Sequence, residues 1–277
     1  MTVKNVTTAS LPMNTGKAIP QVGLGVWQAP RGGGTQGAVQ AALRLGYRHV
    51  DTARIYGNEA DVGLAVREGG VPREQVFVTT KLWNNEQGYD SALRAFDASL
   101  ERLGLDYIDL YLLHWPVADK RKDSWRALEK LFAEKRARAI GVSNFLVPHL
   151  KELLETAKVV PAVDQIELHP FLQHRDTRAF CDEHRIVVEA YSPLTHGQRL
   201  GHPSVLDVAK RVGRSPAQVL LRWGIQHGLV VQPKSTNEDR IRENGELFDF
   251  ELGTEQMGIL DGLEEGLATG WDPRDQA

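Results

Sequence analysis

The chain has 277 residues, of which 42% are hydrophobic and 25% charged, enough to bury a large core in one α/β barrel or two smaller domains. A formal charge of −3 leaves no footprint for nucleic acid or an anionic membrane, and no apolar run approaches membrane-spanning length. The single cysteine, Cys181, excludes an intramolecular disulfide framework and any multi-cysteine metal site, and with an N-terminus that lacks a signal-like apolar segment it points to the cytoplasm.

Residues 1–20, with a polar turn at Asn14-Thr15-Gly16-Lys17, read as a hairpin closing the bottom of a barrel. From there short apolar runs alternate with amphipathic stretches to the end of the chain. Strands are expected near 22–27, 48–52, 76–81, 107–113, 138–142, 162–167, 186–191 and 229–233. Helices are expected near 35–46, 58–68, 89–103, 123–136, 148–157, 175–184, 204–212, 215–227, 237–246 and 254–264. That alternation is the mark of a parallel sheet with crossover helices, and eight units favour a closed (β/α)8 TIM barrel, one domain over 1–277, over an open sheet. Ser215-Pro216-Ala217-Gln218 shows how sharply a boundary can be written: serine caps, proline fits the first turn, and glutamine completes a capping box. Trp271–Ala277 reads as a short tail that leaves the pocket fairly open.

Two glycine clusters carry less than they suggest. Gly23-Leu24-Gly25 follows a strand, but the third glycine position of a dinucleotide fingerprint is Gln28 and no turn into a helix follows. Gly32-Gly33-Gly34 lacks the lysine-serine/threonine ending of a phosphate loop and reads as a mobile connection. Cys181, behind Ala179 and Phe180 in a helix, reads as a packed thiol.

The chemistry gathers where apolar runs stop. Asp51, Tyr56, Lys81 and His114 fall at the C-terminal ends of three consecutive strands, in VDTARIYGNE, VFVTTKLW and IDLYLLHWP, and so converge on one mouth of the barrel. Singly, each has a structural reading as a turn acid, an edge aromatic, a surface lysine or a core histidine; jointly they compose a proton-transfer site. A phenol titrates near ~10 and is a poor acid or base unless its anion is stabilised. Lys81, held by Asp51, is expected to lower the Tyr56 pKa toward the working range, while His114 polarises a substrate oxygen. Trp27, Trp83 and Trp115 follow strand ends on the same face and are expected to wall the substrate pocket, whereas Trp125 and Trp223 sit in helices. Glu167 and His169 read as support for the site.

Across nearly its full length the chain resembles the aldo-keto reductases. The matching segments are Gly23–Trp27, Asp51–Glu59, Lys81-Leu82-Trp83, Asp106–Pro116, Ile140–Phe145, Gln165–Pro170, Tyr191–Leu194 and Pro233–Asn244, and their wording is closest to the bacterial branch that includes the 2,5-diketo-D-gluconate reductases. The resemblance implies a barrel that uses NADPH to reduce aldehydes and ketones without a metal. It implies Asp51, Tyr56, Lys81 and His114 as the catalytic tetrad, with Tyr56 as proton donor. It places Ser143, Asn144 and Gln165 on the nicotinamide carboxamide, Tyr191 against the ring, and Ser192 and Leu194 beside the cofactor. Lys234, Ser235 and Arg240 would surround the 2′-phosphate, and Glu243 with Asn244 would hold the adenine. Two cations and a helix N-terminus suit a dianion, which favours NADPH over NADH.

Three positions depart from the family's wording: Gly245 is usually apolar, Asp164 stands where asparagine often precedes the glutamine, and Thr195-His196 replaces a glycine-rich stretch. The expected partner is a small-molecule carbonyl substrate, bound after the cofactor, to a monomer. Competing readings are a metal-dependent barrel hydrolase, suggested by His49-x-Asp51 but without a His-x-His pair, and a noncatalytic NADPH-binding regulatory protein, which an intact tetrad argues against.

Overall fold

A computed structural model describes residues 6–275, so the first five positions of the expected hairpin and the last two of the tail lie outside the described residues. The N-terminal hairpin pairs β1 (Ser10–Pro12) with β2 (Ala18–Pro20) antiparallel. Its turn is closed by Met13 N–H donating to the Lys17 carbonyl at 2.8 Å, with Gly16 at a φ of 77° that a side chain would strain.

Eight parallel strands follow: β3 (Leu24–Gly25), β4 (His49–Asp51), β5 (Phe77–Leu82), β6 (Leu110–Leu113), β7 (Ile140–Ser143), β8 (Val163–Glu167), β9 (Val187–Tyr191) and β10 (Val230–Gln232). Each pairs with its neighbour in sequence. Parallel bridges Val22↔Val231 and Gly25↔Lys234 join the first strand to the last and close the barrel. The expected strand 22–27 is thus reduced to β3 and a bridge at Val22. Between them Gly23 lies so close to Gln232 that a Cβ would sit 2.4 Å from its side-chain oxygen, which is how the barrel seam admits a buried glutamine.

The helices are α1 (Gly33–Arg44), α2 (Glu59–Glu68), α3 (Tyr89–Leu103), α4 (Arg121–Ala133), α5 (Val147–Leu154), α6 (Arg175–Glu183), α7 (Pro203–Val212), α8 (Pro216–Gln226), α9 (Glu238–Gly245) and α10 (Thr254–Asp261). At the start of α8 the capping box forms as written in the sequence: Gln218 N–H donates to Ser215 Oγ, and Ser215 N–H to Gln218 Oε1, both at 3.2 Å. Gly63 on α2 permits its contact with α3, because a Cβ there would lie 1.8 Å from the Leu103 carbonyl oxygen.

Period-two alternation divides the core in two. On β6, Tyr111 and Leu113 face outward into the large cluster between sheet and helices, where Val50, Val78 and Val142 also lie. Leu110 and Leu112 face inward and pack with Met13 and Ile19 of the hairpin and Val230 of β10, so the barrel floor is an apolar plug. Each such side chain contributes about 1.5–3 kcal/mol of burial. Above the plug the interior turns polar.

His49 belongs to that polar layer. Its Nε2 lies 2.9 Å from Thr79 Oγ1 and 3.6 Å from Glu189 Oε1. Burial lowers its pKa to about 4, with Lys81 adding to the effect and Asp51 opposing it. The unfolded chain therefore binds a proton below its ordinary value near ~6.5 that the native chain refuses, so stability contributed by neutral His49 is lost as pH falls from about 6.5 toward 4, by on the order of 3 kcal/mol. The drop in denaturant midpoint between pH 7 and pH 4.5 is expected to be smaller in His49→Gln than in the parent protein.

Candidate active site

The mouth at the C-terminal ends of the strands gathers the four side chains on β4, β5, β6 and the turns after them. Lys81, fully buried on β5, donates from Nζ to Asp51 Oδ1 at 2.6 Å and to the Thr52 carbonyl at 3.0 Å, and it lies 3.5 Å from Tyr56 Oη. Tyr56 ends a short 3-10 turn, Arg54–Tyr56, that follows β4. Its ring meets that of His114 edge-on at 5.9 Å, and His114 meets Trp83 edge-on at 5.1 Å.

Two residues inside the quoted motif, whose roles the sequence left unassigned, set the turn that carries Tyr56. Asn58 accepts from Thr52 Oγ1 at 2.7 Å and donates to the Val26 carbonyl at 3.0 Å, tying the turn to both flanking strands. Glu59 is buried, takes a hydrogen bond from Thr80 on β5 and is paired with Arg102 on α3, both at 2.7 Å. Gly57, just before them, adopts φ 68°, with the Arg31 guanidinium where a Cβ would go.

The electrostatics differ from expectation at the phenol. Burial raises the Tyr56 pKa, and Lys81 only offsets part of that rise. The reason is geometric: the ammonium is spent first on Asp51 and the Thr52 carbonyl, at shorter range than the phenol. Burial alone would lower Lys81, yet Asp51, followed by Tyr56, carries its pKa above the ordinary value, so the cation persists. Asp51 is itself pushed up by burial, against the pull of Lys81, with Glu189 adding to the rise. Burial, reinforced by Lys81, holds His114 well below its ordinary value, so it is a neutral imidazole at working pH.

A second tier surrounds the first. Gln165 on β8 donates both amide hydrogens, to Asp51 Oδ2 and to Glu189 Oε2, each at 2.9 Å. Ser143 Oγ donates to the Gln165 carbonyl at 2.8 Å. Asn144, at φ 63°, donates to the His114 carbonyl at 2.9 Å and accepts from Tyr191 Oη at 2.7 Å. Ser143, Asn144, Gln165 and Tyr191 therefore form one hydrogen-bonded set with the four. Glu189 is buried on β9, also accepts from Gln232, and went unnoticed in the sequence because an acid inside an apolar strand carries no spacing signal.

Beyond β10, Lys234 and Arg240 are exposed, and among the described residues neither forms an ion pair. Ser235 Oγ accepts from Asn237 N–H at 3.1 Å, and Asn237 caps α9 through Arg240 N–H at 3.0 Å. Asn244 is buried and Glu243 half-buried on the same helix. Gly245 has a packing reason: a Cβ would crowd Tyr47, whose hydroxyl donates to the Ile241 carbonyl at 2.8 Å. Asp164 is sealed beside Cys181, 3.9 Å from its sulfur, and burial raises both the carboxyl and the thiol. In the loop after β9, Ser192, Thr195 and His196 all take φ near 50° (46°, 53° and 51°), and Ser192 Oγ lies 2.7 Å from His196 Nε2. Leu194 is half-buried between them.

Trp83 and Trp115 both meet a third indole. Trp271 stands 6.5 Å from Trp83 and 5.9 Å from Trp115 between ring centres, so the tail does not leave that side open. Trp27 meets His196 edge-on at 5.3 Å instead. Among the described residues no group of three or more His, Cys, Asp or Glu is arranged to hold a metal ion, and no helix is long and apolar enough to cross a membrane.

A family profile described as the Aldo/keto reductase family matches residues 21–265. A 9,11-endoperoxide prostaglandin H2 reductase of Trypanosoma cruzi is 53% identical over 258 residues, 92% of this chain and 91% of that protein. A glyoxal reductase of Bacillus subtilis is 48% identical over 264 residues, 95% of this chain and 96% of that one. The crystal structure of an aldo/keto reductase from Brucella melitensis superposes with a TM-score of 0.90 at 45% identity, over 95% of this chain and 99% of its own.

The Asp51–Lys81 pair makes a stability prediction independent of activity. Lys81→Met strands a buried carboxylate and is expected to cost about 3–5 kcal/mol, whereas the Asp51→Asn/Lys81→Met double variant recovers most of it. Equilibrium denaturation of the parent, both single variants and the double variant reads the coupling directly.

Proposed function

The chain belongs to the aldo/keto reductase family, and from that premise we propose that it reduces aldehydes and ketones to alcohols with NADPH, using Tyr56 as the proton donor. The observation that carries the reading is the Lys81 ammonium lying 2.6 Å from Asp51 and 3.5 Å from the Tyr56 hydroxyl at the barrel mouth. When bound, the nicotinamide cofactor supplies the hydride; the rest falls to side chains. His114, neutral through the working pH range, donates one ring N–H to the carbonyl oxygen and polarises it. As negative charge develops on that oxygen, Tyr56 gives it the hydroxyl proton. Lys81 stabilises the phenolate left behind, and Asp51 keeps Lys81 charged. A raised phenol pKa suits this direction of reaction, because Tyr56 stays protonated and ready at neutral pH.

The residues present fit a dinucleotide. Gln165 has both amide hydrogens committed to carboxylates, which leaves its oxygen as the acceptor for a carboxamide N–H. Ser143 and Asn144 supply the neighbouring polar groups, and Tyr191 supplies a ring face fixed through Asn144. At the other end, Lys234 and Arg240 offer charge not spent on an ion pair beside the N-terminus of α9, where Ser235 sits, matching a 2′-phosphate. Glu243 and Asn244 lie one turn on for the adenine, and Ser192 with Leu194 flank the path between. Trp83, Trp115 and Trp271 wall the substrate side, with Trp27 at its margin. Small dicarbonyls, among them the glyoxal named for the Bacillus relative, sugar-derived ketones such as 2,5-diketo-D-gluconate, and aromatic aldehydes are the substrate classes proposed.

Tyr56→Phe is expected to lower kcat by about 10²–10⁴-fold while leaving nucleotide binding in place, as read by NADPH oxidation at 340 nm and by fluorescence titration. Undiminished turnover would remove Tyr56 from the chemistry. Arg240→Gln is expected to raise KM for NADPH by roughly 10–100-fold and to leave KM for NADH unchanged, a split that only a contact with the 2′-phosphate produces.

A further inference from the structure

The last described stretch of the chain does not trail away from the barrel. It runs along the loop after β8 in a fixed antiparallel order. The Asp261 carbonyl accepts from Gln173 Nε2 at 3.0 Å and from Arg175 Nη2 at 2.7 Å, and Glu264 takes the Gln173 N–H at 2.6 Å. Further on, Glu265 and Leu267 both donate N–H to the Phe171 carbonyl, at 3.2 and 3.0 Å. The run ends on one carboxylate. Glu167, the last residue of β8, accepts from Thr269 N–H at 2.8 Å, from Thr269 Oγ1, and from Gly270 N–H at 3.2 Å. The next residue is Trp271.

Glu167 is buried, with His169 Nε2 at 3.2 Å from the oxygen that takes Thr269, and it is bonded to the strap and not to any of the catalytic four. Burial would raise its pKa, but the bonds from His169 and Thr269 outweigh that and hold the carboxyl below its usual range, so it receives the strap as an anion. Trp271 itself has little to fix it: the residue is 70% exposed, and its ring contacts are to Trp83 and Trp115. Its place over the mouth is inherited from the two residues before it.

We infer that Glu167 is a specificity-determining positioning residue, whose carboxylate clasps Thr269 and Gly270 and so holds Trp271 as the third indole wall of the substrate mouth. The inference rests on the carbonyl-reductase reading for its effect on substrate, though not for the clasp. A planar aromatic aldehyde long enough to reach past Trp83 and Trp115 contacts the Trp271 ring, whereas glyoxal does not. Releasing the clasp therefore weakens binding of the first and spares the second.

Two variants and two readouts decide it. Glu167→Gln keeps the shape and removes the charge, and Thr269→Val removes one donor at the far side should the first fail to fold. Hydrogen–deuterium exchange of the peptide 263–272 in the full-length protein is expected to accelerate at least about tenfold in both. In steady-state assays with NADPH, KM for a naphthaldehyde is expected to rise about three- to tenfold, with kcat and the KM for glyoxal within about twofold. Because the effect passes through the indole, Glu167→Gln added to Trp271→Ala is expected to raise that KM no further. Unchanged exchange, equal effects on both aldehydes, or additive effects in the double variant would each overturn the assignment. Should the parent protein reduce neither carbonyl with NADPH, the enzymatic reading falls, and exchange alone still decides the clasp.

Discussion

Keeping one ammonium protonated inside a barrel is the constraint around which this molecule is arranged. Lys81 is wholly buried, and desolvation of a lone charge in such a place would neutralise it. Asp51 at 2.6 Å and the Thr52 carbonyl at 3.0 Å replace the lost water. That solution creates a second demand, because Asp51 is buried too and has a second oxygen to satisfy. Gln165 satisfies it, and the same amide reaches Glu189, so the obligation passes from β5 to β4, β8 and β9. Gln232 on β10 and His49 on β4 complete the circuit. A chain of hydrogen bonds thus links β4, β5, β8, β9 and β10 above the apolar plug. The site is rigid because each member is required by the next.

The division between plug and polar layer also explains why the mouth can be chemically demanding. Leu110, Leu112, Val230 and the hairpin residues Met13 and Ile19 fill the lower interior, so the polar layer rests on apolar side chains. Its groups must bond to one another or to whatever enters from above. Tyr56 is delivered from outside this layer, on a turn held by Asn58 and Glu59, and so its hydroxyl approaches Lys81 without belonging to the strand ladder. Strands fix the cation and a loop brings the phenol, a separation typical of barrels in which rigid elements carry adaptable ends.

Much of this was legible beforehand, for identifiable reasons. All eight barrel strands announce themselves as short apolar runs between amphipathic segments, α3 matches its expected bounds, and the Ser215 boundary matches because capping chemistry is local. The four residues of the mouth were found because strand ends in a parallel barrel all face one way. What escaped was whatever depends on distance through space. Glu189 looks like an anomaly in an apolar strand until Gln165 and Gln232 are seen beside it. Sequence misdirects on the Tyr56 shift, because it names a cation nearby but not the two closer acceptors that already hold it. The tail reads as open in sequence because nothing in Thr269-Gly270-Trp271 signals that a buried acid more than a hundred positions earlier receives it.

The polar groups proposed to grip the cofactor are already occupied by one another, and this bears on how such a site selects its ligand. Gln165 cannot turn its amide over, since that would set its oxygen against two carboxylates. Asn144 cannot swing away without leaving the Tyr191 hydroxyl and the His114 carbonyl unpaired. A ligand therefore meets acceptors and donors whose directions are fixed before it arrives, so ordering entropy is not lost again on binding. The same bonds join the ring of Tyr191 to the strand end carrying His114, through one asparagine held at a left-handed φ of 63°. Asparagine tolerates that conformation better than most residues and offers both an oxygen and an amide hydrogen at once. Aspartate would share the backbone preference but would face the His114 carbonyl with a second acceptor, and so the residue type at position 144 follows from the two neighbours it must satisfy.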